Sequence, residues 1–402
     1  MSDIYKAVKV TDNVYWVGAI DWRSRDFHGY STPRGSTYNA YLILADKVTL
    51  IDTVKKPFKD EMLARISSLI EPEKVDYIIS NHSEMDHSGC LPETIKAIKP
   101  EKVFASSVGS KTLNLHFQMD TEIMPLKDGE NLSLGNMDLT FMETKMLHWP
   151  DSMVTYLAED SLLFSQDAFG MHMASSERFD DEIDWDTLEY ESIKYYANIL
   201  TPMSKLVLKV LDKLANSGLE IDIIAPDHGP IWRKNLDKIM ELYKKWALQK
   251  PTCKAVVIYD TMWDSTALMA RAIGEGITEG GASLKLLPLR ATHRSNIVTD
   301  LLDAGAFVVG SPTINNNMFP TVADLLYYAK GLKFQNLIGA AFGSYGWTGE
   351  AVKHINEILE EMKVELVSDG IRARYVPDDE ALGQCHELGK TIAQELLNKC
   401  NS

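Results

Sequence analysis

The chain has 402 residues and is acidic, with 57 Asp and Glu against 41 Lys and Arg and a net charge of −16. This charge argues against a nucleic-acid-binding protein, because phosphate backbones attract basic surfaces. A hydrophobic fraction of 45% with 24% charged residues is ordinary for a globular protein, and the length suits two or three domains. No apolar run reaches about eighteen residues, and the first residues lack a signal peptide's apolar segment. We therefore expect no membrane association and a cytoplasmic location.

The first 250 residues alternate short strands with few helices. Strands are expected at 14–17, 38–44 and 48–52, and the tight turn at Ala45-Asp46-Lys47 joins the last two as a hairpin. This pattern predicts mixed sheets rather than a purely parallel sheet.

A dense group of metal-binding side chains follows the apolar run 75–79, which we interpret as a buried strand. His82, Glu84, Asp86 and His87 lie within six residues of one another, in the loop at the end of that strand. Imidazole nitrogens mixed with carboxylate oxygens suit iron or manganese better than a thiolate-rich set would, although zinc also accepts such ligands. The alternative is a polar loop that happens to contain two histidines.

Three further residues stand at predicted strand ends and favour the metal interpretation. His148 follows the segment 142–147, Asp167 ends the apolar run 162–166, and His228 follows the strand predicted at 221–225. Taken singly, each is expected to be an ordinary polar residue. Together with the loop 81–87 they form a constellation that one loop alone does not provide.

From residue 254 onward, strands alternate with helices, which predicts a parallel sheet. A strand at 254–260 leads through a hydroxyl-rich turn to a helical pattern from Ala267, and a helix N-terminus there favours an anion such as a phosphate. A Ser or Thr helix cap would give the same pattern. Two later strands, at 306–310 and 338–342, lead into loops expected at the same sheet edge. We expect these three loops to bind a ligand that carries a phosphate. The residues expected to contact it are Thr261, Met262, Trp263, Ser265, Thr266, Pro312, Thr313, Ile314, Asn315, Asn316, Ser344, Tyr345, Gly346, Trp347 and Gly349.

Trp347 is the most informative of these loop residues. Gly346 and Gly349 leave it free to lie against a flat ring. The alternative is a tryptophan that closes the core, as we expect for Trp16 and Trp246. Pro251-Thr252 follows a charged helical stretch, and we place the domain boundary there, giving domains 1–250 and 251–402.

The order His-x-Glu-x-Asp-His, His, Asp, His resembles the metallo-β-lactamase superfamily, whose usual first motif has histidine where this chain has Glu84. A carboxylate there makes the site harder and favours iron over zinc. This departure matches one branch, the flavodiiron proteins. The resemblance implies an N-terminal αββα sandwich and a C-terminal flavodoxin-like, doubly wound parallel sheet that binds FMN.

The resemblance also implies roles for individual residues. His82, Glu84 and His148 would bind one iron, Asp86 and His228 the other, and Asp167 would bridge them. His87 matches a position that is a ligand in some members only. His28, Tyr195 and Tyr196 are candidate proton donors near the metals, although each is equally suited to a buried hydrogen bond. The implied reaction is reduction of nitric oxide to nitrous oxide or of dioxygen to water, with nitric oxide slightly favoured.

Cys90, Cys253, Cys385 and Cys400 form no Cys-x-x-Cys pair, so no rubredoxin module is expected within these residues. The resemblance therefore implies a separate electron donor such as a rubredoxin, and a head-to-tail homodimer or a dimer of dimers. Two other functions remain open from the sequence. One is a zinc hydrolase fused to a flavodoxin, and the other is an electron carrier whose first domain is only structural.

Overall fold

The computed structural model describes residues 4–400 and divides into two compact units. The N-terminal unit comprises residues 4–28, 32–195 and 205–244, and the C-terminal unit comprises residues 29–31, 196–204 and 245–400. None of the helices formed by residues 4–400 combines the length and apolarity needed to cross a bilayer.

Residues 4–250 contain sixteen strands, most of them short. They are β1 Val8–Lys9, β2 Val14–Trp16, β3 Ala19–Asp21, β4 Asp26–Phe27, β5 Tyr30–Ser31, β6 Ser36–Tyr38, β7 Tyr41–Ile43, β8 Thr49–Ile51, β9 Tyr77–Ser80, β10 Lys102–Ser106, β11 Ile123–Leu126, β12 Asn131–Ser133, β13 Asp138–Glu143, β14 Met153–Leu157, β15 Leu162–Gln166 and β16 Ile223–Pro226. The helices of this region are α1 Lys59–Ser67, α2 Met85–Ser88, α3 Leu91–Ile98, α4 Ser107–Phe117, α5 Trp185–Tyr195, α6 Ser204–Ala215 and α7 Leu236–Leu248.

Two sheets form the centre of the N-terminal unit. One has the order β1-β2-β7-β8-β9-β10-β11, and the other has the order β12-β13-β14-β15-β16. Alternate residues of a strand point to opposite faces, so Tyr41 and Ile43 pack against Phe141 of the second sheet, while Leu42 packs with Met62 of α1. The unit is therefore the αββα sandwich that the resemblance implied.

The strand directions bring the predicted metal ligands to one region. Strands β8, β9 and β10 are mutually parallel, and β15 is parallel to β16, so the carboxyl ends within each set share an edge. His82 follows β9, Asp167 follows β15 and His228 follows β16. The predicted strands before these residues and the predicted hairpin at 45–47 are confirmed. The strand β15 has the predicted bounds, and the ends of the others are shifted by one to three residues.

The C-terminal unit contains one parallel sheet with helices between its strands. Its strands are β17 Thr252–Tyr259, β18 Ser283–Pro288, β19 Ala304–Gly310, β20 Ile338–Tyr345, β21 Glu365–Leu366 and β22 Ile371–Arg374, and its helices are α8 Ser265–Glu279, α9 Arg294–Leu301, α10 Pro320–Leu332, α11 Glu350–Glu361 and α12 Asp379–Cys400. The order β18-β17-β19-β20-β21, with β22 also paired to β20, is that of a doubly wound flavodoxin-like sheet.

Four expectations about local structure are wrong. His148 was expected at a strand end, but it lies in the segment between β13 and β14, five residues after β13 ends. The region before residue 250 is not poor in helices, since six of its helices have eight or more residues. Asp86 and His87 lie not in an open loop but in α2, where the amides of His87 and Ser88 donate to the Glu84 carbonyl. Strand β20 extends through Gly343–Tyr345, because β22 pairs with these residues along their length.

Candidate metal centre and flavin site

The predicted metal ligands converge in the N-terminal unit as two adjoining sets that share one carboxylate. The first ligand set is His82, Glu84 and His148 with Oδ2 of Asp167. The second ligand set is Asp86, His87 and His228 with Oδ1 of Asp167. Apart from the partly covered His148, these side chains are buried.

Distances within the first ligand set fit a single metal ion. Nε2 of His148 lies 2.9 Å from Oδ2 of Asp167 and 3.1 Å from Oε2 of Glu84. Nε2 of His82 lies 3.2 Å and 3.3 Å from the same two oxygens. Metal bonds of about 2.0–2.2 Å place neighbouring ligand atoms roughly 3.0–3.5 Å apart, so the four atoms surround a position that an ion can occupy.

The second ligand set has the same spacing. Nε2 of His87 is 3.1 Å from Nε2 of His228, 3.2 Å from Oδ1 of Asp167 and 3.4 Å from Oδ2 of Asp86. Nε2 of His228 is 3.2 Å from Oδ2 of Asp86. Both carboxylate oxygens of Asp86 and Oδ1 of Asp167 are buried without a hydrogen-bond partner among residues 4–400. Buried polar atoms are nearly always satisfied, so these oxygens suit a cation.

Local hydrogen bonds turn one histidine of the second ligand set toward the shared carboxylate. Nδ1 of His228 lies 2.5 Å from the Thr37 carbonyl, to which it donates, and this leaves the Nε2 lone pair free to bind metal. Gly229 follows with a φ of +79°, and its amide donates to the Thr37 hydroxyl. The backbone at Thr37 on β6 thus fixes the turn that carries His228.

The charges of the two sets perturb one another. Burial lowers the pKa of a histidine, but the surrounding Asp86, Asp227 and Asp167 raise the pKa of His87 to about 10. Burial also lowers the pKa of His148, but hydrogen bonds to Asp167 and Glu84 outweigh it and raise that pKa to about 9. Burial would raise the pKa of Glu84, yet His148 and His82 lower it to about 2. Glu84 is therefore ionised and ready to bind a cation, whereas His87 and His148 must each release a proton to do so.

Two of the three candidate proton donors lie near these sets. Nε2 of His28 is 3.4 Å from Oε1 of Glu84, and its side chain is 77% exposed. The ring centroid of Tyr195 lies 6.2 Å from that of His228. Tyr196 belongs to the C-terminal unit, where its hydroxyl is 3.2 Å from Oγ of Ser204 and its ring packs on Trp246.

Sequence reasoning missed several residues that surround the metal ligands. His172 is buried with its ring centroid 4.5 Å from that of His228, and Oγ of Ser36 lies 2.9 Å from its Nδ1. Asp151 and Asp227 face the ligand histidines from outside. Both carboxylates stand within three residues of a ligand in the sequence, and this is the signal that would have indicated them.

The C-terminal unit contains a cavity of about 780 Å³ where the three predicted loops meet. Twelve of the fifteen predicted residues line it, together with Thr348 and Tyr375, which were not predicted. The side chains of Trp263 and Trp347 are 85% and 84% exposed, whereas Trp16 and Trp246 are buried. Trp347 therefore does not close the core and is available to a flat ring.

Thr261, Thr266 and Gly349 are the three predicted residues outside the cavity lining, and they adjoin it. Oγ1 of the buried Thr266 is 2.9 Å from Oγ of Ser344, which does line the cavity. The Thr261 amide donates to Oδ1 of Asp260, and the buried Oγ1 of Thr261 has no hydrogen-bond partner among residues 4–400. Gly349 is the N-cap of α11.

Comparison with known proteins agrees with the two-domain architecture. Residues 37–229 match the family model described as ODP family beta lactamase, and residues 257–389 match that of flavodoxin. A nitric oxide reductase of Moorella thermoacetica is 46% identical, over 97% of this chain and 99% of that protein. The solved rubredoxin oxygen:oxidoreductase from Desulfovibrio gigas has a TM-score of 0.97 and 45% identity, covering 99% of this chain and 100% of that chain. The solved flavodiiron protein from Giardia intestinalis has a TM-score of 0.96 and 32% identity, covering 100% and 99%.

This chain belongs to the flavodiiron protein family. The flavodoxin domain of a flavodiiron protein implies FMN, and the lactamase-like domain carries a diiron centre. The residues present fit both groups. Two ligand sets with unpartnered buried carboxylates fit two cations, and the cavity with its exposed tryptophans fits a flavin.

Proposed function

We propose that this flavodiiron protein reduces small diatomic gases, converting nitric oxide to nitrous oxide or dioxygen to water, with nitric oxide slightly favoured. The observation that carries the proposal is the position of Asp167, whose two oxygens face two different ligand sets. Such sharing fits two ions held next to each other, as a reaction on one small molecule requires. The names of the similar proteins, a nitric oxide reductase and a rubredoxin oxygen:oxidoreductase, support both substrates.

We assign the irons to the ligand sets as follows. His82, Glu84 and His148 would hold the first iron, and Asp86 and His228 would hold the second, with Asp167 between them. The distances of His87 to Asp167 and His228, 3.2 Å and 3.1 Å, support a ligand role for His87 at the second iron as well. The whole set contains no thiolate, which suits iron.

The reaction needs electrons, protons and an apolar pocket. The bound FMN and diiron centre would together supply the electrons: two electrons with two protons for two nitric oxide molecules, giving nitrous oxide and water, or four electrons with four protons for dioxygen, giving two waters. The chain's own residues supply the protons and the apolar pocket. His28 lies between solvent and Oε1 of Glu84, and a histidine with this exposure can deliver protons to the site. Phe27 packs 4.6 Å from His172, centroid to centroid, and contributes an apolar wall near the second ligand set.

The FMN would lie in the cavity of the C-terminal unit. Its phosphate would be held at the start of α8 by the hydroxyls of Thr261, Ser265 and Thr266 and by backbone amides, because a helix N-terminus attracts anions. Arg290 donates to Asp260 and to the Thr261 carbonyl, so it braces this turn. The loops that follow β19 and β20 would hold the ring system, with Trp347 against it.

We further propose that the two functions occupy domains 1–250 and 251–402, and that the working unit is a head-to-tail homodimer or a dimer of dimers. In that arrangement the flavin of one subunit serves the irons of the other. Electrons would come from a separate carrier such as a rubredoxin, a donor that the name of the D. gigas protein supports.

Metal analysis and a visible spectrum of the purified protein test the function against its alternatives. Two irons per chain with flavin absorbance are expected. Zinc with flavin would indicate the hydrolase, and flavin without metal would indicate the electron carrier. Glu84 counts against the hydrolase, since a carboxylate at this position favours iron. Anaerobic stopped-flow oxidation of the reduced protein by nitric oxide and by dioxygen would then establish which gas reacts faster.

A further inference from the structure

Two buried carboxylates outside the ligand sets each face the outer nitrogen of one histidine ligand. We propose that Asp151 and Asp227 are positioning residues: Asp151 orients His82 toward the first iron, and Asp227 orients His87 toward the second. This inference rests on the proposed metal site. It adds to that site one supporting carboxylate for each iron.

Asp151 is held in place to receive His82. Its Oδ1 lies 3.8 Å from Nδ1 of His82, and both atoms are buried without a hydrogen-bond partner among residues 4–400. Its Oδ2 accepts from the Ser83 amide at 2.8 Å, and the Ser106 hydroxyl donates to its carbonyl at 2.8 Å. Hydrogen bonds of this type span about 2.7–3.2 Å, so a closure of roughly 0.6–1 Å joins the two unpartnered atoms.

Asp227 has the same relationship to His87. Its Oδ2 lies 3.7 Å from Nδ1 of His87, and these two atoms are likewise buried and unpartnered within the described chain. The backbone of Asp227 is fixed on both sides, because its amide donates to the Gln166 carbonyl and its own carbonyl accepts from the Asn39 amide. The carboxylate therefore projects from a rigid strand end.

The geometry gives each carboxylate a defined effect on its histidine. When Nδ1–H donates to a carboxylate, the lone pair of Nε2 is left to bind metal and becomes more basic. Nε2 of His82 and of His87 are both 3.2 Å from an oxygen of Asp167, on the metal side. His228 differs, because its Nδ1 donates to the neutral Thr37 carbonyl. Each ligand set thus has one histidine backed by a negative charge.

The test uses the full-length, FMN-loaded protein with Asp151→Asn and Asp227→Asn. At position 151 an amide replaces one of the two oxygens with an NH2 donor, so either the Ser83 amide or Nδ1 of His82 would face a donor instead of an acceptor. Asp180→Asn is the matched control. Asp180 is also a buried carboxylate of the N-terminal unit, but it accepts from the backbone amides of Arg233, Lys234 and Asn235 and not from a ligand histidine.

Ferrous affinity is measured anaerobically by competition with a chelator, in two backgrounds that retain one ligand set each. In the Asp86→Ala background, which keeps the first set, Asp151→Asn should weaken iron binding by about 10–100-fold and Asp227→Asn should not. In the His148→Ala background, which keeps the second set, Asp227→Asn should weaken iron binding by the same factor and Asp151→Asn should not. The control should leave both affinities unchanged. Asp151→Ser and Asp227→Ser are measured alongside, so that the result does not depend on the folding of one variant.

Equal losses at both sites, or unchanged iron affinity with a lower melting temperature of the metal-free protein, would overturn the positioning roles. The second of these results is what a purely structural role predicts. Wild-type protein that binds no iron at all would instead overturn the proposed metal site. That failure is distinguishable, because it appears before any variant is made.

Discussion

Nε2 of His148 lies 2.9 Å from Oδ2 of Asp167, although the two residues are 19 positions apart and belong to different loops. The contact joins a histidine of the first ligand set to the carboxylate that both sets share. Loss of either residue should therefore affect metal binding far more than folding of the other unit.

Replacing His148 or Asp167 with Ala should lower the iron content from about two ions per chain to one or none and abolish gas reduction. Metal ligands hold their site together, so removing the shared carboxylate releases at least one ion. FMN should remain bound, because its cavity is lined by residues of the C-terminal unit only. Iron analysis and flavin absorbance of the purified variants measure both outcomes.

His386→Ala is the control for this experiment, since His386 pairs with Glu279 in the C-terminal unit. It should retain full iron. Normal iron content in both ligand variants would contradict the ligand assignment.

Replacing Thr261, Ser265 and Thr266 together with Ala should weaken FMN binding by several kcal/mol, because hydrogen bonds to a charged group contribute about 1.5–3 kcal/mol each. Iron content should not change. Fluorescence titration of the FMN-free protein with FMN gives the dissociation constants. Thr278→Ala, at the exposed end of the same helix, is the matched control. Unchanged affinity in the triple variant would mean that the phosphate binds elsewhere.

Iron affinity should increase with pH from about 6.5 to 9. In the metal-free protein His87 and His148 have raised pKa values, about 10 and about 9, so both are protonated at neutral pH. Iron must displace these protons, and each one displaced changes the apparent affinity by up to about tenfold per pH unit. Chelator competition at several pH values measures this slope, and a flat profile would contradict it.

The stability of the metal-free protein should have the opposite pH dependence. A histidine whose folded pKa is raised contributes stability that is complete below its unfolded pKa, about 6.5, and is lost as pH rises through the folded pKa. For His148 and His87 this loss falls between about pH 6.5 and 10. Urea unfolding of the metal-free protein should give a lower free energy of unfolding at pH 9 than at pH 7.

Mixing two inactive variants should restore activity if electrons pass between subunits. One parent lacks FMN binding through the triple Ala change, and the other lacks iron through Asp167→Ala. A mixed dimer then has one intact pair of flavin and iron, on different chains. Gas-reductase activity should appear after subunit exchange. Mixed dimers that form, as shown by mass spectrometry, but remain inactive would contradict transfer between chains.

Much of the metal centre could be predicted from the sequence, because His82, Asp167 and His228 follow strands with strong apolar patterns. Asp167 comes directly after β15, whose five residues are all buried. The helix α8 was placed two residues late, since Ser265 and Thr266 at its start are polar and its apolar periodicity begins at Ala267. Neither hydroxyl caps the helix, whose N-cap is Asp264, and the Thr266 hydroxyl instead lies 2.9 Å from Oγ of Ser344.

Contacts between distant segments account for the features that could not be predicted. Residues 343–345 belong to β20 because Arg372 and its neighbours in β22 pair with them. The local sequence around residues 343–345 does not predict this pairing. Tyr375 reaches the flavin cavity from the end of the same β22 strand, so its role depends on the same fold-level contact. Asp227 faces His87 although the two lie 140 positions apart.

The shared carboxylate of Asp167 also has a consequence for how the centre fills. An ion bound to the first ligand set fixes the plane of that carboxylate and neutralises part of the buried negative charge. The fixed plane holds Oδ1 in position for the next ion. The neutralised charge, in contrast, reduces the attraction between the remaining carboxylates and that ion. Asp167 is already buried, and both of its oxygens lie within 3.5 Å of ligand histidines, so it is ordered before any ion binds and the loss of negative charge is the stronger influence. The second ion should therefore bind more weakly than the first, and chains that carry a single ion should predominate when iron is limiting.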